Sequence, residues 1–354
     1  MPRQPSNKPT GFRWVAARFV SMKLRSAPPA RPDRPEAVVG VAARVAGKFH
    51  MNNPRRFMRA RHRNTLRALL LGIAALGCAA AAAAAAFDTP GAGAAAARTD
   101  HAAPTTDAAT LKLIDVALAG EHRSAQNKAR DVYRHPRQTL QFFGLRGNQS
   151  VIEIAPGGGW YTEILAPVLK DHGHYAAGVA PPKSADAEDS ASMKALKEKF
   201  AQAAQVLGTL HTVPFGPDVT EMAPPGSVDM ILTFRNLHNW MGGAWADKAL
   251  ALMFKALKPG GILGVTDHRG NPSVPQDPKA RSGYVNQDYA IKLIEAAGFK
   301  LVGQSEVNAN PKDTKDYAQG VWTLPPTLTL GEKDRDKYLN IGESDRFTLK
   351  FRKP

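Results

Sequence analysis

Cysteine is all but missing from the chain, which has one, Cys78, among 354 residues. Neither a disulfide framework nor a thiolate metal site can be built from it. The ten histidines are scattered without the ligand spacing of a metal site, so no metal is expected. Acidic residues are nearly absent from the first 67 positions, where 16 lysines and arginines face only Asp33 and Glu36. The formal charge of +16 therefore sits almost entirely in that segment, and 31 basic and 29 acidic residues follow it. A domain so close to neutrality lacks the basic stripe that binds a phosphate backbone, and zinc-finger spacing and a basic helical region are lacking too. No nucleic-acid partner is expected.

What the first hundred residues do contain is a targeting pattern. An arginine-rich stretch over 55–67 is followed by an uncharged run of Ala, Leu, Gly, Ile and Cys over 68–86. A positive start, a short leucine-rich centre and an alanine-rich end with small-residue cleavage sites describe a secretory signal peptide. The rival is a retained membrane anchor, but the second half of the run is nearly pure alanine and only weakly apolar. Ala75-Leu76-Gly77-Cys78 is similar to a lipoprotein cleavage box, and Arg55-Arg56-Phe57-Met58 partly resembles a twin-arginine export signal. The reading divides the chain into an upstream extension without function (1–54), a signal peptide (55–86), a flexible linker (87–107) and one domain (108–354). The expected location is the periplasm, with membrane contact only through the signal or a lipid anchor at Cys78.

From 108 onward, apolar periodicity alternates between two patterns. Strands are expected over 151–155, 175–179, 210–213, 228–234, 262–266 and 300–305. Helical spacing links Leu111, Ile114, Ala117 and Leu118; a second helix runs from Pro136 to Gly144. Further helical patterns join Tyr161 to Val168, Met193 to Phe200, and Ala249 to Leu257, with a kink expected at Pro167. Such alternation implies a mostly parallel sheet. The segment 347–351 alternates apolar and polar residues, as a near-edge antiparallel strand with one covered face would. The expectation is an α/β, Rossmann-like, seven-stranded sheet with helices on both faces and its last strand antiparallel.

The sharpest motif is Val151-Ile152-Glu153-Ile154-Ala155-Pro156-Gly157-Gly158-Gly159, a strand that ends in a glycine turn and leads into a helix. A backbone without side chains admits a ligand across the strand ends, and the amides of the helix start can face an anion. The segment resembles the first motif of class I S-adenosylmethionine-dependent methyltransferases, with Glu153 as the strand-end acid and Gly157 and Gly159 as two of three alternating glycines. Asp218 is placed like the acid near the cofactor's adenine. Residues 227–232 are similar to the family's fourth strand, and Leu257-Lys258-Pro259-Gly260-Gly261 to the turn before its fifth. The chain looks most like the exported branch of that family in proteobacteria. The resemblance implies S-adenosyl-L-methionine as cofactor, held by Glu153, Pro156, Gly157, Gly158, Gly159 and Asp218. It departs from the pattern after the second strand, where Ala180-Pro181-Pro182 stands instead of the acid that accepts both ribose hydroxyls.

Two polar clusters follow the fourth and fifth strands, Arg235-Asn236-Leu237-His238 and Thr266-Asp267-His268-Arg269. Ligands of open α/β sheets bind outside the carboxyl ends of the strands, so Arg235, His238, Asp267 and His268 are the candidate catalytic residues. His238 is the first choice of base for an acceptor that carries a proton. A histidine simply hydrogen-bonded at a strand end accounts for it as well, and an ion pair with Asp267 accounts for Arg235 and His268. Trp240 is a candidate wall of an acceptor pocket or an ordinary core aromatic. Tyr133-Arg134-His135-Pro136 and 308–313 are explained by helix-start and turn chemistry. The expected function is methyl transfer to a small-molecule or envelope-associated acceptor. The alternative is a catalytically degenerate periplasmic ligand-binding protein on the same fold. A nicotinamide oxidoreductase fits less well, since position 162 is Thr where a third glycine would stand.

Overall fold

The computed structural model describes residues 105–184 and 186–354. The extension, the signal, Cys78 and most of the linker lie outside the described residues. Seven strands form one sheet: β1 (Ser150–Ile154), β2 (His174–Val179), β3 (Thr212–Pro214), β4 (Val228–Phe234), β5 (Leu257–His268), β6 (Lys300–Ser305) and β7 (Arg346–Arg352). Their order is β3-β2-β1-β4-β5-β7-β6. The pairs β3/β2, β2/β1, β1/β4 and β4/β5 are parallel, and β7 runs antiparallel to β5 and β6 between them. The order reverses between β1 and β4, which opens a crevice beyond their carboxyl ends.

The helices are α1 (Ala108–Ala119), α2 (Ala125–Lys128), α3 (Asp131–Arg134), α4 (Pro136–Phe143), α5 (Thr162–Leu169), α6 (Ala191–Gln202), α7 (Ala204–Leu207), α8 (Leu237–Gly242), α9 (Ala246–Ala256), α10 (Gln287–Ala296) and α11 (Arg335–Ile341). Strand periodicity sorts the core into two layers. Val151, Met230 and Leu232 pack with Leu140 and Phe143 of α4 and Ile164 and Leu165 of α5. Ile152, Ile154 and Ile231 pack on the other face with Leu250 and Met253 of α9 and Ile294 of α10. Local chemistry sets several helix ends. The side chain of Asp107 accepts the Thr110 amide at 2.7 Å before α1, and Gly144 ends α4 in the left-handed region at φ 81°. Pro167 stays inside α5. A proline has no amide for the carbonyl four residues back, and that Glu163 carbonyl instead takes the His122 ring at 2.7 Å.

Two expectations need correction. β5 begins five residues before the anticipated Ile262, because Leu257 pairs with Val228 of β4 and the chain just past β7 continues the ladder: Gly260 N–H bonds the Lys353 carbonyl at 2.8 Å, and Lys353 N–H bonds the Gly261 carbonyl at 2.9 Å. β7 is covered on both faces. Phe347, Leu349 and Phe351 enter the core, while Thr348 on the opposite face is fully buried and accepts a hydrogen bond from Asn308 at 2.9 Å. A strand second from the edge, overlaid by α4 and the chain after β6, has no free face.

Candidate functional site

β1 ends in a turn whose backbone sits in the left-handed region at Ala155 (φ 46°), Gly157 (φ 59°) and Gly159 (φ 76°). A Cβ at Gly157 or Gly158 would meet nothing within 4 Å, whereas one at Gly159 would press on Leu196 at 3.0 Å. The first two glycines therefore keep open space beside the backbone and the third permits packing on α6. One cleft of about 280 Å³ adjoins the turn, lined in part by Arg130, Arg134, Glu153, Pro156, Tyr161 and Arg235. Across the turn lies a second, of about 340 Å³, walled by Val179, Met193, Leu196 and Asn236. Beyond it, over the ends of β2 and β3, a third of about 610 Å³ includes Pro181, Pro182, Glu188 and Asp189. Carboxylates absent from the end of β2 thus reach that region from the loop before α6, where Glu188 pairs with Lys194 and Asp189 with Lys197, each at 2.6 Å.

Glu153 is only 2% exposed. Its Oε2 accepts hydrogen bonds from Thr162 Oγ1 at 2.7 Å and Tyr175 OH at 2.8 Å, while Oε1 has no described partner. Burial pushes its carboxyl up to about 7, against the two hydroxyl donors. Next to it, Tyr161 stacks on Phe234. Behind them Glu343 accepts from Arg130 Nε at 2.8 Å, Arg134 Nε at 2.9 Å and Arg346 Nη1 at 3.1 Å. Burial works against the Glu343 carboxylate, but the surrounding arginines overcome it and hold its pKa at about 2. Arg134 is lowered to about 9 by burial first and by Arg235 next.

Arg235 separates this cleft from a smaller chamber of about 210 Å³ built from the polar ends of β4 and β5 and the long segment before β7. There His238 Nδ1 meets Asp267 Oδ1 at 2.9 Å, and the backbone amides of His238 and His268 also donate to Asp267, at 3.1 and 2.8 Å. Burial pushes the Asp267 carboxyl up, but His238, His268 and the amide hydrogen bond together hold it below its ordinary value. His268 Nδ1 faces Ser344 Oγ at 2.5 Å, and burial keeps the ring well below the usual histidine range. His238 Nε2 has no described partner. Trp322 closes the chamber, its ring 6.2 Å from that of His238.

No protein-family model matches the chain, and no curated protein matches it. Solved structures do. A SAM-dependent methyltransferase from Aquifex aeolicus is 16% identical, with 63% of this chain and 92% of that one covered and a TM-score of 0.43. The cyclase SpnF is 15% identical, covering 72% and 98%, with a TM-score of 0.45. A TehB-like SAM-dependent methyltransferase from Corynebacterium glutamicum is 14% identical, covering 70% and 96%, at 0.37.

The fold brings together Glu153, Pro156, Gly157, Gly158 and Arg235 in one cleft and Arg235, His238 and His268 in the next, with Asp267 beneath. Gly159 serves packing. Asp218 is exposed in the loop after β3 and lines none of these clefts. The anticipated ion pair of Arg235 or His268 with Asp267 does not form, because the His238 ring and two amides occupy that carboxylate. Trp240 lies in the core against Phe215 and Trp245; Trp322 takes the wall position instead. Arg134, read from sequence as helix-start chemistry, lines the cleft. Arg130, Glu343 and Ser344 gave no local signal, since their partners stand far away in the chain. His238, Asp267 and His268 also place donor atoms within 4.8 Å of one another, a grouping that residue spacing did not reveal. Both Asp267 oxygens there already accept N–H groups, and a guanidinium lines the same chamber, which disfavours a cation.

Proposed function

We propose that this domain is an S-adenosylmethionine-dependent methyltransferase acting on a small or envelope-associated acceptor. The observation that carries the proposal is the pairing of an open glycine turn at the sheet's switch point with a histidine–carboxylate pair in the adjoining chamber. The turn fits the cofactor, since the space that a Cβ at Gly157 or Gly158 would take is open. Pro156, Gly157 and Gly158 would hold it along the backbone, Glu153 Oε1 would accept from its ammonium group, and Glu188 and Asp189 of the neighbouring cleft would be the carboxylates available to its hydroxyls. S-adenosylmethionine, when bound, supplies a methyl group already activated on a sulfonium. Asp267 fixes His238 with Nδ1–H donated to the carboxylate, which leaves Nε2 to take a proton from an acceptor O–H or N–H. Positioning in the chamber supplies the rest.

The arginine-rich stretch over 55–67 and the uncharged run at 68–86 support an exported protein with the signal cleaved or with a lipid anchor at Cys78. Among the described residues no helix is long and apolar enough to cross a membrane. The missing carboxylate at the end of β2 favours a second reading, a degenerate periplasmic binding protein. Calorimetric titration of the purified chain with S-adenosylmethionine and its demethylated product, repeated on Gly158→Val, separates the two. Gly158 has no positive φ and its Cβ meets nothing, so the variant should fold normally and lose binding. Absence of heat from the native chain up to millimolar cofactor would transfer the argument to the binding protein.

A further inference from the structure

The wall between the two polar clefts holds more positive charge than the fold neutralises. Arg130, Arg134 and Arg346 share one carboxylate, Glu343. The guanidinium of Arg235 stands beside them with no hydrogen bond or ion pair to any described residue, and the nearby carboxylate of Asp267 is committed to His238. Guanidinium nitrogens are left without partners: Arg130 Nη2, Arg134 Nη2 and Arg346 Nε are all buried and unbonded. Arg134 is 3% exposed and lines the cleft. The face of Trp160 lies 4.6 Å from its guanidinium carbon, which eases the charge without accepting the N–H groups.

Buried cations are ordinarily paired, and planar guanidinium forks match the paired oxygens of a carboxylate or phosphate. The cofactor of the preceding section does not balance this charge, for its single carboxylate is outweighed by its own ammonium and sulfonium. Arg235 lines both clefts. Its backbone is held in the left-handed region at φ 62°, with its amide bonded to the Thr266 carbonyl at 2.7 Å. A strained non-glycine residue held in place at a cleft wall is a mark of a binding role.

We propose that Arg235, reinforced by the positive charge of Arg130 and Arg134 behind it, forms an oxyanion site, and that the acceptor is a small molecule whose carboxylate or phosphate group is held there while its reacting group faces His238. The identity of the occupant as acceptor rests on the methyl-transfer reading; the anion site rests on the charge and geometry alone.

The test is the thermal midpoint of the full chain with inorganic phosphate or acetate, at ionic strength held constant with sodium chloride, for the native protein, Arg235→Gln and Arg235→Lys. In native protein the midpoint should rise saturably, by about 3 to 5 °C at ten times the dissociation constant. The larger response identifies a phosphate-like or carboxylate-like group. Arg235→Gln should lose the response while its own midpoint stays at or above the native value, because it removes an uncompensated charge. A purely structural arginine would lower it. Arg235→Lys, which keeps the charge but not the fork, should respond weakly. No rise beyond that of chloride, or an equal rise in Arg235→Gln, would overturn the anion site. Parallel titration with S-adenosylmethionine keeps the two readings apart: an Arg235-dependent anion response without cofactor binding sustains the site and sinks methyl transfer, and cofactor binding without an anion response does the reverse.

Discussion

Glu153 links the stability of the fold to pH through a single buried carboxyl. Its ordinary value is 4.5, and burial raises it to about 7 in the folded protein. Because the unfolded chain releases this proton first, the folded state binds more protons between the two values. The stabilising contribution is complete below the unfolded value and is lost as pH rises through the folded one. The separation corresponds to about 3 kcal/mol, with no discount for solvent because the group is buried. Glu153→Gln keeps an oxygen that can accept from Thr162 and Tyr175 but cannot ionise. Urea unfolding followed by tryptophan fluorescence between about pH 5 and pH 8 should therefore show the native protein losing about 3 kcal/mol more than the variant. Glu343 does not confuse the comparison. Its folded value is depressed to about 2, so its contribution is present above 4.5 and disappears only as pH falls below the window. Parallel pH curves for the two proteins would refute the assignment of Glu153 as the carboxyl that takes up this proton.

Asp267→Asn should leave S-adenosylmethionine affinity within about twofold and reduce transfer by at least about 100-fold, since an amide holds the His238 ring in the wrong tautomer; unchanged turnover, once an acceptor is in hand, would remove His238 as the base. Ala155→Gly should stabilise the chain by about 0.5 to 1 kcal/mol, because relief of an alanine at φ 46° exceeds the added freedom of the unfolded glycine; a lower unfolding midpoint would contradict this. Gly264→Ala would place a Cβ 2.6 Å from Leu232 Cδ2 and 2.9 Å from Phe143. A loss of about 1 to 3 kcal/mol is expected by denaturant unfolding, and a neutral result would mean that the core between β4 and α4 yields more readily than its burial indicates.

Much of the fold was legible because it is local. Period-two and period-3.6 patterns located β4 and β6 to the residue and most other elements to within a few positions, and Gly157 and Gly158 announced an open turn because no other residue leaves that space. His238 and Asp267 were legible as candidates through their place at the carboxyl ends of β4 and β5, though not as partners. The start of β5 escaped because its first residues are apolar only in part and are held by distant backbone, Leu257 opposite Val228 of β4 and Gly260 against Lys353 just past β7. The double burial of Thr348 escaped because polar residues at alternate positions look solvated until a second layer covers them.

Sequence by itself determined the two periodicities, the glycine turn and the uneven distribution of charge, since each depends on residues a few positions apart. Only the tertiary structure decided which charges meet. Arg130 and Glu343 lie 213 positions apart, and Glu343, Ser344 and Trp322 belong to a segment that reads from sequence as an insertion before the last strand. Strand order places that segment over the carboxyl ends of β4 and β5, and burial then turns a set of ordinary arginines into an unneutralised cluster. Charge in water is screened and cheap, so a sequence carries little sign of it; charge enclosed by a fold must find a partner.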